Sequence, residues 1–194
     1  MPPFVPLDQY NIIIGTDRSE VLIGTDGPDL ICARLGNDVI HAGGGDDLVL
    51  GDTTTFFGNV NASGGNDTVF AGAGDDEVLS GPGNDRGFGG GGDDFLALAL
   101  GNDYGDGGPG SDSVIGGFGR DVVGGGPGDD EVAGGFDADV VSGGPGNDTM
   151  YGEAPGGQNP PPGVPVPGPA RDVCLGGGGT DTGLDCDVPV SMEG

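Results

Sequence analysis

The chain has no lysine, five arginines and a single histidine among its 194 residues. Against these few cations stand 32 acidic residues and a net charge of −27. Such a chain repels nucleic acid and anionic membrane surfaces, and its natural partners are cations. Long hydrophobic runs are missing too. The longest, Phe95 to Leu100, has six residues, against the roughly 20 that a membrane-spanning helix needs, so no membrane insertion is expected. With His41 alone the sequence cannot form HExxH, and zinc's usual nitrogen and sulfur ligands are absent at ligand spacing. A Ser-His-Asp triad would depend on His41, and no GxSxG exists to present its serine. Residues 87–92 and 105–110 satisfy GxGxxG, yet neither stretch joins a strand to a helix as a dinucleotide site requires. Among 32 acids some carboxylate pair will fall at glycosidase spacing, so that signal carries no weight. No enzyme is expected. The start, MPPFVPLDQY, lacks the basic and apolar regions of a signal peptide. A trimmed leader, another export route or a longer parent chain would each explain it.

What the sequence does have is glycine and a period. Glycine (48) and proline (16) make up a third of the chain, which without a period would signal disorder. The glycines do not recur every third residue, so collagen is excluded. Instead an aspartate falls on every ninth residue from Asp67 to Asp148, ten times without a miss. A typical unit is GGPGNDTMY, Gly143 to Tyr151. The same phase holds Glu20, Asp29, Asp38 and Asp47 before this block and Asp172 and Asp181 after it. A solvated, salt-adapted surface would need no phase, and half of the acids keep one. The chain is a repeat array.

Each unit divides into six turn-forming residues and three strand residues. Glycine at the turn positions supplies positive φ without steric cost. A three-residue strand has one side chain facing in and two facing out. The inward set is Val69, Val78, Leu96, Val114, Val123, Val132, Val141 and Met150, with Gly87 and Gly105 as gaps. Two units per coil would stack parallel strands into two facing sheets. One buried aliphatic residue cannot offset the entropy of ordering nine residues, and stacked carboxylates add repulsion. A cation is needed.

The unit resembles the RTX (repeat-in-toxin) nonapeptide GGxGxDx-aliphatic-x of the calcium-binding parallel β-roll. The resemblance covers roughly residues 12–187 and implies an all-β fold, a right-handed parallel β-roll, that is, a two-sheet β-solenoid of nonapeptide repeats. It also implies Ca²⁺ between successive turns, held by phased carboxylates and turn carbonyls. One edge would carry Asp67, Asp85, Asp103, Asp121 and Asp139, and the other Asp76, Asp94, Asp112, Asp130 and Asp148. Asp29, Asp38 and Asp47 would add ligands in the N-terminal repeats. About eight sites follow for the regular block, with several more at the N-terminal repeats. Oxygen-only ligands on a soft backbone suit Ca²⁺ better than Mg²⁺. Two turns depart from the pattern: Leu98 and Ala99 replace a glycine pair before Asp103, and Asp137 replaces the glycine before Asp139. Those turns, and the gap at Gly105, predict a weaker site at Asp103 than at Asp121.

The expected organisation is a lead-in at 1–11 and the roll at 12–153, with an insertion at 50–64 that could hold one degenerate strand. A proline-rich loop at 154–170, final repeats with a disulfide cap at 171–187 and a tail at 188–194 complete it. The "DVC…GTDT…C" ending resembles the terminus of exported bacterial RTX-type proteins, which implies that Cys174 and Cys186 pair. Cys32 is then a free thiol or an intermolecular link. Disulfide use favours an oxidising compartment. The expected function is a non-catalytic calcium-binding roll that folds outside the cell. The alternatives are an accessory segment of a larger secreted enzyme or toxin, and an adhesive solenoid. An ice-binding face would need a flat threonine row, and only Thr16 and Thr25 occur in GT steps.

Overall fold

The structure, a computed structural model, describes residues 9–52, 64–152, 172–184, 186 and 188–190. Eighteen short strands follow one another without an α-helix among the described residues. The first six are β1 (Asn11–Ile14), β2 (Val21–Ile23), β3 (Asp29–Cys32), β4 (Val39–Gly44), β5 (Leu48–Leu50) and β6 (Thr68–Ala73). Next come β7 (Glu77–Leu79), β8 (Arg86–Gly91), β9 (Phe95–Leu100), β10 (Tyr104–Asp106), β11 (Ser113–Phe118) and β12 (Val122–Gly124). The last are β13 (Glu131–Phe136), β14 (Val140–Ser142), β15 (Thr149–Tyr151), β16 (Val173–Leu175), β17 (Thr182–Leu184) and β18 (Val188–Val190).

Odd-numbered strands form one nine-stranded sheet and even-numbered strands the other, every pairing parallel. The chain therefore changes sheet at each unit, and the fold is a β-solenoid, consistent with a β-roll. Partners along a sheet are two units apart, as in Val114↔Val132. Across the first insertion the partner of Ile40 is Val69, and across the second that of Val141 is Cys174. The strands on either side of each insertion thus keep their alternation between the two sheets. The degenerate strand expected within 50–64 and the proline-rich loop at 154–170 fall largely outside the described residues. Two boundaries move. Asn11, assigned to the lead-in, opens β1, and residues 188–190, assigned to the tail, form β18 against β16. Val188 and Val190 carry the β-branched alternation of a strand.

All eight inward residues expected from the sequence are buried, at 0–1% exposure. The two glycine gaps are filled from the opposite sheet. A Cβ added at Gly87 would lie 3.0 Å from Leu98 Cδ2, and one at Gly105 would lie 3.0 Å from Leu98 Cδ1. Leu98, on β9, is fully buried between these positions. Its apparent departure from the repeat is a repair of the core.

The turns keep their shape where glycine is missing. Ala99 has φ of 81° and Asp137 78°, in register with glycines at positive φ on neighbouring turns, and Arg34 has φ of 78°. Left-handed backbone costs an alanine about 1–2 kcal/mol. Ala99→Gly is therefore expected to stabilise the folded chain by about 1 kcal/mol, less the extra freedom glycine gives the unfolded state. Urea denaturation at constant calcium reads this directly, and a lower midpoint would contradict it.

The outer face of the even-strand sheet carries a stacked row, His41 on Phe70 and Phe70 on Phe88, at centroid distances of 4.9 and 5.0 Å. These rings face one another along the solenoid and serve as cross-strand packing. Cys32 is unpaired within the chain and half-buried on β3, and burial pushes its thiol pKa up.

Candidate metal centre

Strand and turn geometry bring the phased aspartates onto two edges. From Asp29 to Asp172 every one is at most 3% exposed. Along one edge the backbone N–H of Asp38 donates to Asp67 Oδ1, Asp67 to Asp85, Asp85 to Asp103 and Asp103 to Asp121, each at 2.8 Å. Asp121 and Asp139 continue this ladder to Asp139 and Asp172. On the other edge it runs through Asp47, Asp76, Asp94, Asp112, Asp130, Asp148 and Asp181 at 2.8–3.2 Å. Each carboxylate thereby spends one oxygen on the turn before it.

The second oxygen has no such partner. Oδ2 of Asp38, Asp47, Asp67, Asp76, Asp85, Asp94, Asp103, Asp112, Asp121, Asp130, Asp139 and Asp148 is buried without a hydrogen bond. A buried charged acceptor left unsatisfied costs more than the 1–3 kcal/mol of a neutral group. At Asp67, Asp94, Asp112, Asp121, Asp130, Asp139 and Asp148 the space beside it is kept by glycine, while Ala33, Ala42, Ala71, Ser80 and Leu98 stand five residues before the others. A Cβ on Gly116 would lie 2.5 Å from Asp121 Oδ2 and 2.5 Å from the Gly134 carbonyl oxygen of the next turn. At Gly107 the corresponding distances, to Asp112 Oδ2 and the Gly125 carbonyl, are 2.5 and 2.6 Å. Carboxylate and carbonyl oxygens therefore crowd the same spot, and any larger residue would fill it. Among the described residues no three acidic, histidine or cysteine side chains converge, so turn carbonyls must supply the rest of any coordination shell. That donor set, oxygen only and mostly backbone, fits Ca²⁺.

Burial is the main cause of strongly raised carboxyl pKa values along both ladders. It pushes Asp85 and Asp139 up to about 8 and Asp76 and Asp103 up to about 7. Asp67, Asp94, Asp112, Asp121 and Asp130 rise to about 6. The ladder hydrogen bonds pull the values down, and neighbouring carboxylates push them up again. This is the environment of a site that wants a cation.

The sequence-expected residues do not all behave alike. Asp29 has both oxygens engaged: Asn11 Nδ2 donates to Oδ1 at 2.6 Å, and the Thr25 N–H and hydroxyl donate to Oδ2. Threonine in place of the turn glycine supplies the donors, so Asp29 acts as a turn cap. Asp103 and Asp121, expected to differ, hold the same ladder bonds at the same 2.8 Å. The ladder bonds do not distinguish them, but the turn does: Leu98, which fills the Gly105 gap, stands in register with Gly116, so the space that glycine keeps beside Asp121 Oδ2 carries a side chain at Asp103. Three acids outside the expected ligand set join the rows. Asp172 and Asp181 accept ladder bonds, as their phase already signalled. Asp52, off the phase, is 7% exposed, and burial, with Asp67 beside it, pushes it up to about 7.

The two edges also differ outside the ladders. Where the residue before a phased aspartate is Asn or Asp, its side chain receives the N–H of its counterpart on the following turn. Asn37, Asn66 and Asn84 do so on the first edge, and Asp75, Asp93 and Asp129 on the second. The second edge is the more acidic.

Comparison with curated proteins and with solved structures finds no match for this chain. The profile of the RTX calcium-binding nonapeptide repeat matches four times, at residues 14–49, 61–96, 99–132 and 124–154. Together these segments cover well over half of the sequence. They coincide with the ladders of half-satisfied aspartates and glycine turns just described. The chain belongs to the RTX calcium-binding nonapeptide repeat family, and it is a calcium-binding β-roll.

Proposed function

We infer that the chain folds outside the cell on binding several Ca²⁺ ions and acts as a non-catalytic module. The observation that carries this reading is the row of twelve buried Oδ2 atoms without a partner, Asp38 to Asp148. Each ion sits between successive turns of one edge, ligated by phased Oδ2 atoms and turn carbonyls. About eight such ions occupy the regular block, with affinities in the range of about 10⁻⁴–10⁻³ M typical of extracellular modules. The Cys174–Cys186 disulfide supports an oxidising compartment. Cys174 is buried in the core of β16, so the bond ties the C-terminal turns to the roll.

Ion counting tests this reading. Equilibrium dialysis of the full chain against calcium should give several ions per chain, and magnesium at equal concentration should not displace them. A chain that binds no more calcium than a scrambled peptide of the same charge would refute it. The ladders add a finer expectation. Asp121→Ala should raise the calcium midpoint clearly more than Asp103→Ala, since the two hold matching ladder bonds but Leu98 stands at Asp103 where Gly116 stands at Asp121. Equal effects would show that ladder geometry, not turn composition, sets site quality.

A further inference from the structure

Asp52 stands outside the nine-residue phase and outside every ladder bond, yet it is buried at the corner where the first insertion leaves the roll. Its N–H donates to the Ser80 carbonyl at 2.9 Å, which fixes it on the turn after β5. Its Oδ2 accepts the Gly65 N–H at 2.9 Å, from the far side of the insertion. Its Oδ1 is buried and has no partner.

Other oxygens of the roll lie beside it. A Cβ on Gly51 would lie 2.8 Å from Asp67 Oδ2 and would overlap the Ser80 carbonyl. A Cβ on Gly64 would overlap both Asp52 Oδ2 and the Pro82 carbonyl. The Ser80 hydroxyl, fully buried, also lacks a partner. The Asp52 and Asp67 carboxylates and the Ser80 and Pro82 carbonyls therefore line the adjoining Gly51 and Gly64 positions, and a single N–H serves the Asp52 carboxylate.

We propose that Asp52 joins the repeat aspartate Asp67 in holding a further hard divalent cation of the Ca²⁺ class, at a site completed by the off-phase residue where the insertion begins. The inference rests on the calcium-dependent folding argued above. Two carboxylates match the charge of a divalent ion, whereas the Asp29 turn answers its carboxylate with threonine donors instead. The ion would also pin together the two chain segments that flank the insertion.

The test is the number of calcium ions bound per chain at saturation, by equilibrium dialysis, with far-UV circular dichroism on the same samples. Asp52→Asn keeps an acceptor for the Gly65 N–H, and Asp52→Gly restores the residue that stands at Gly81 on the next turn. Glu77→Gln, an exposed change of equal charge on β7, is the control. Each Asp52 variant is expected to fold in calcium and to bind one ion fewer than the parent, while Glu77→Gln binds the full number. A folded Asp52→Gly or Asp52→Asn chain with the full number of ions overturns the proposal. So does failure of both variants to fold at saturating calcium, which would assign Asp52 a purely structural role. A parent chain that binds no calcium would instead refute the function proposed above, so the two failures are distinguishable.

Discussion

Leu98→Ala should cost the calcium-loaded chain about 3–5 kcal/mol, the range for a large aliphatic removed from a close-packed core. Leu98 is fully buried and fills the space left by two glycines on the opposite sheet. Neither Gly87 nor Gly105 has a side chain that could relax into the void. The sharper expectation is a change of sign. With Leu98 present, Gly87→Val forces its Cβ to within 3.0 Å of Leu98 Cδ2, and overpacking destabilises by about 1–3 kcal/mol. With Leu98→Ala in place the same valine fills the cavity and stabilises. Gly87 is not held at positive φ, so its backbone accepts valine. A double-mutant cycle by urea denaturation in saturating calcium measures the coupling. Additive effects would show that Leu98 does not fill the glycine gaps.

Acid should promote folding when calcium is absent. Burial raises the ladder carboxyls to about 6, 7 or 8 in the folded chain, against about 3.9 for a free aspartate. A group whose pKa is raised by folding stabilises the fold fully below its unfolded value. That contribution fades as pH climbs through its folded value. The ion-free roll is therefore most stable below about pH 4 and loses this support progressively between about pH 4 and 8. Protonation also relieves a net charge of −27. In chelator, a shift from pH 8 to about pH 5 should increase β-structure in circular dichroism, whereas in saturating calcium the same shift should not. A chelated chain with less β-structure at the lower pH would contradict this.

Much of this was legible in the sequence because the roll is nearly one-dimensional: each unit meets only its neighbours, so one phase fixes strand, turn and edge together. The eight inward residues and the two aspartate rows follow from that phase alone. What escaped is what the phase does not encode. Leu98 reads as a broken turn along the chain, and its role emerges only when β9 faces β8 and β10 across the core. Asp29 keeps the phase, but the Thr25 donors that satisfy it lie in a turn whose hydrogen bonding depends on backbone geometry. Asp52 has no phase, and its burial depends on where an insertion returns. Residues 188–190 follow Asp187, which comes six residues after Asp181 and so misses the nine-residue phase, yet they still pair with β16.

The central claim is that calcium and folding are one event, and circular dichroism of the full chain across a calcium titration tests it most directly. In chelator at pH 8 the spectrum should be that of a coil, because buried carboxylates with an unsatisfied oxygen cannot be stacked without a counter-ion. Calcium should convert it steeply to a β spectrum with a midpoint of about 10⁻⁴–10⁻³ M, and magnesium should not. A β spectrum that persists unchanged in excess chelator at that pH would contradict the account.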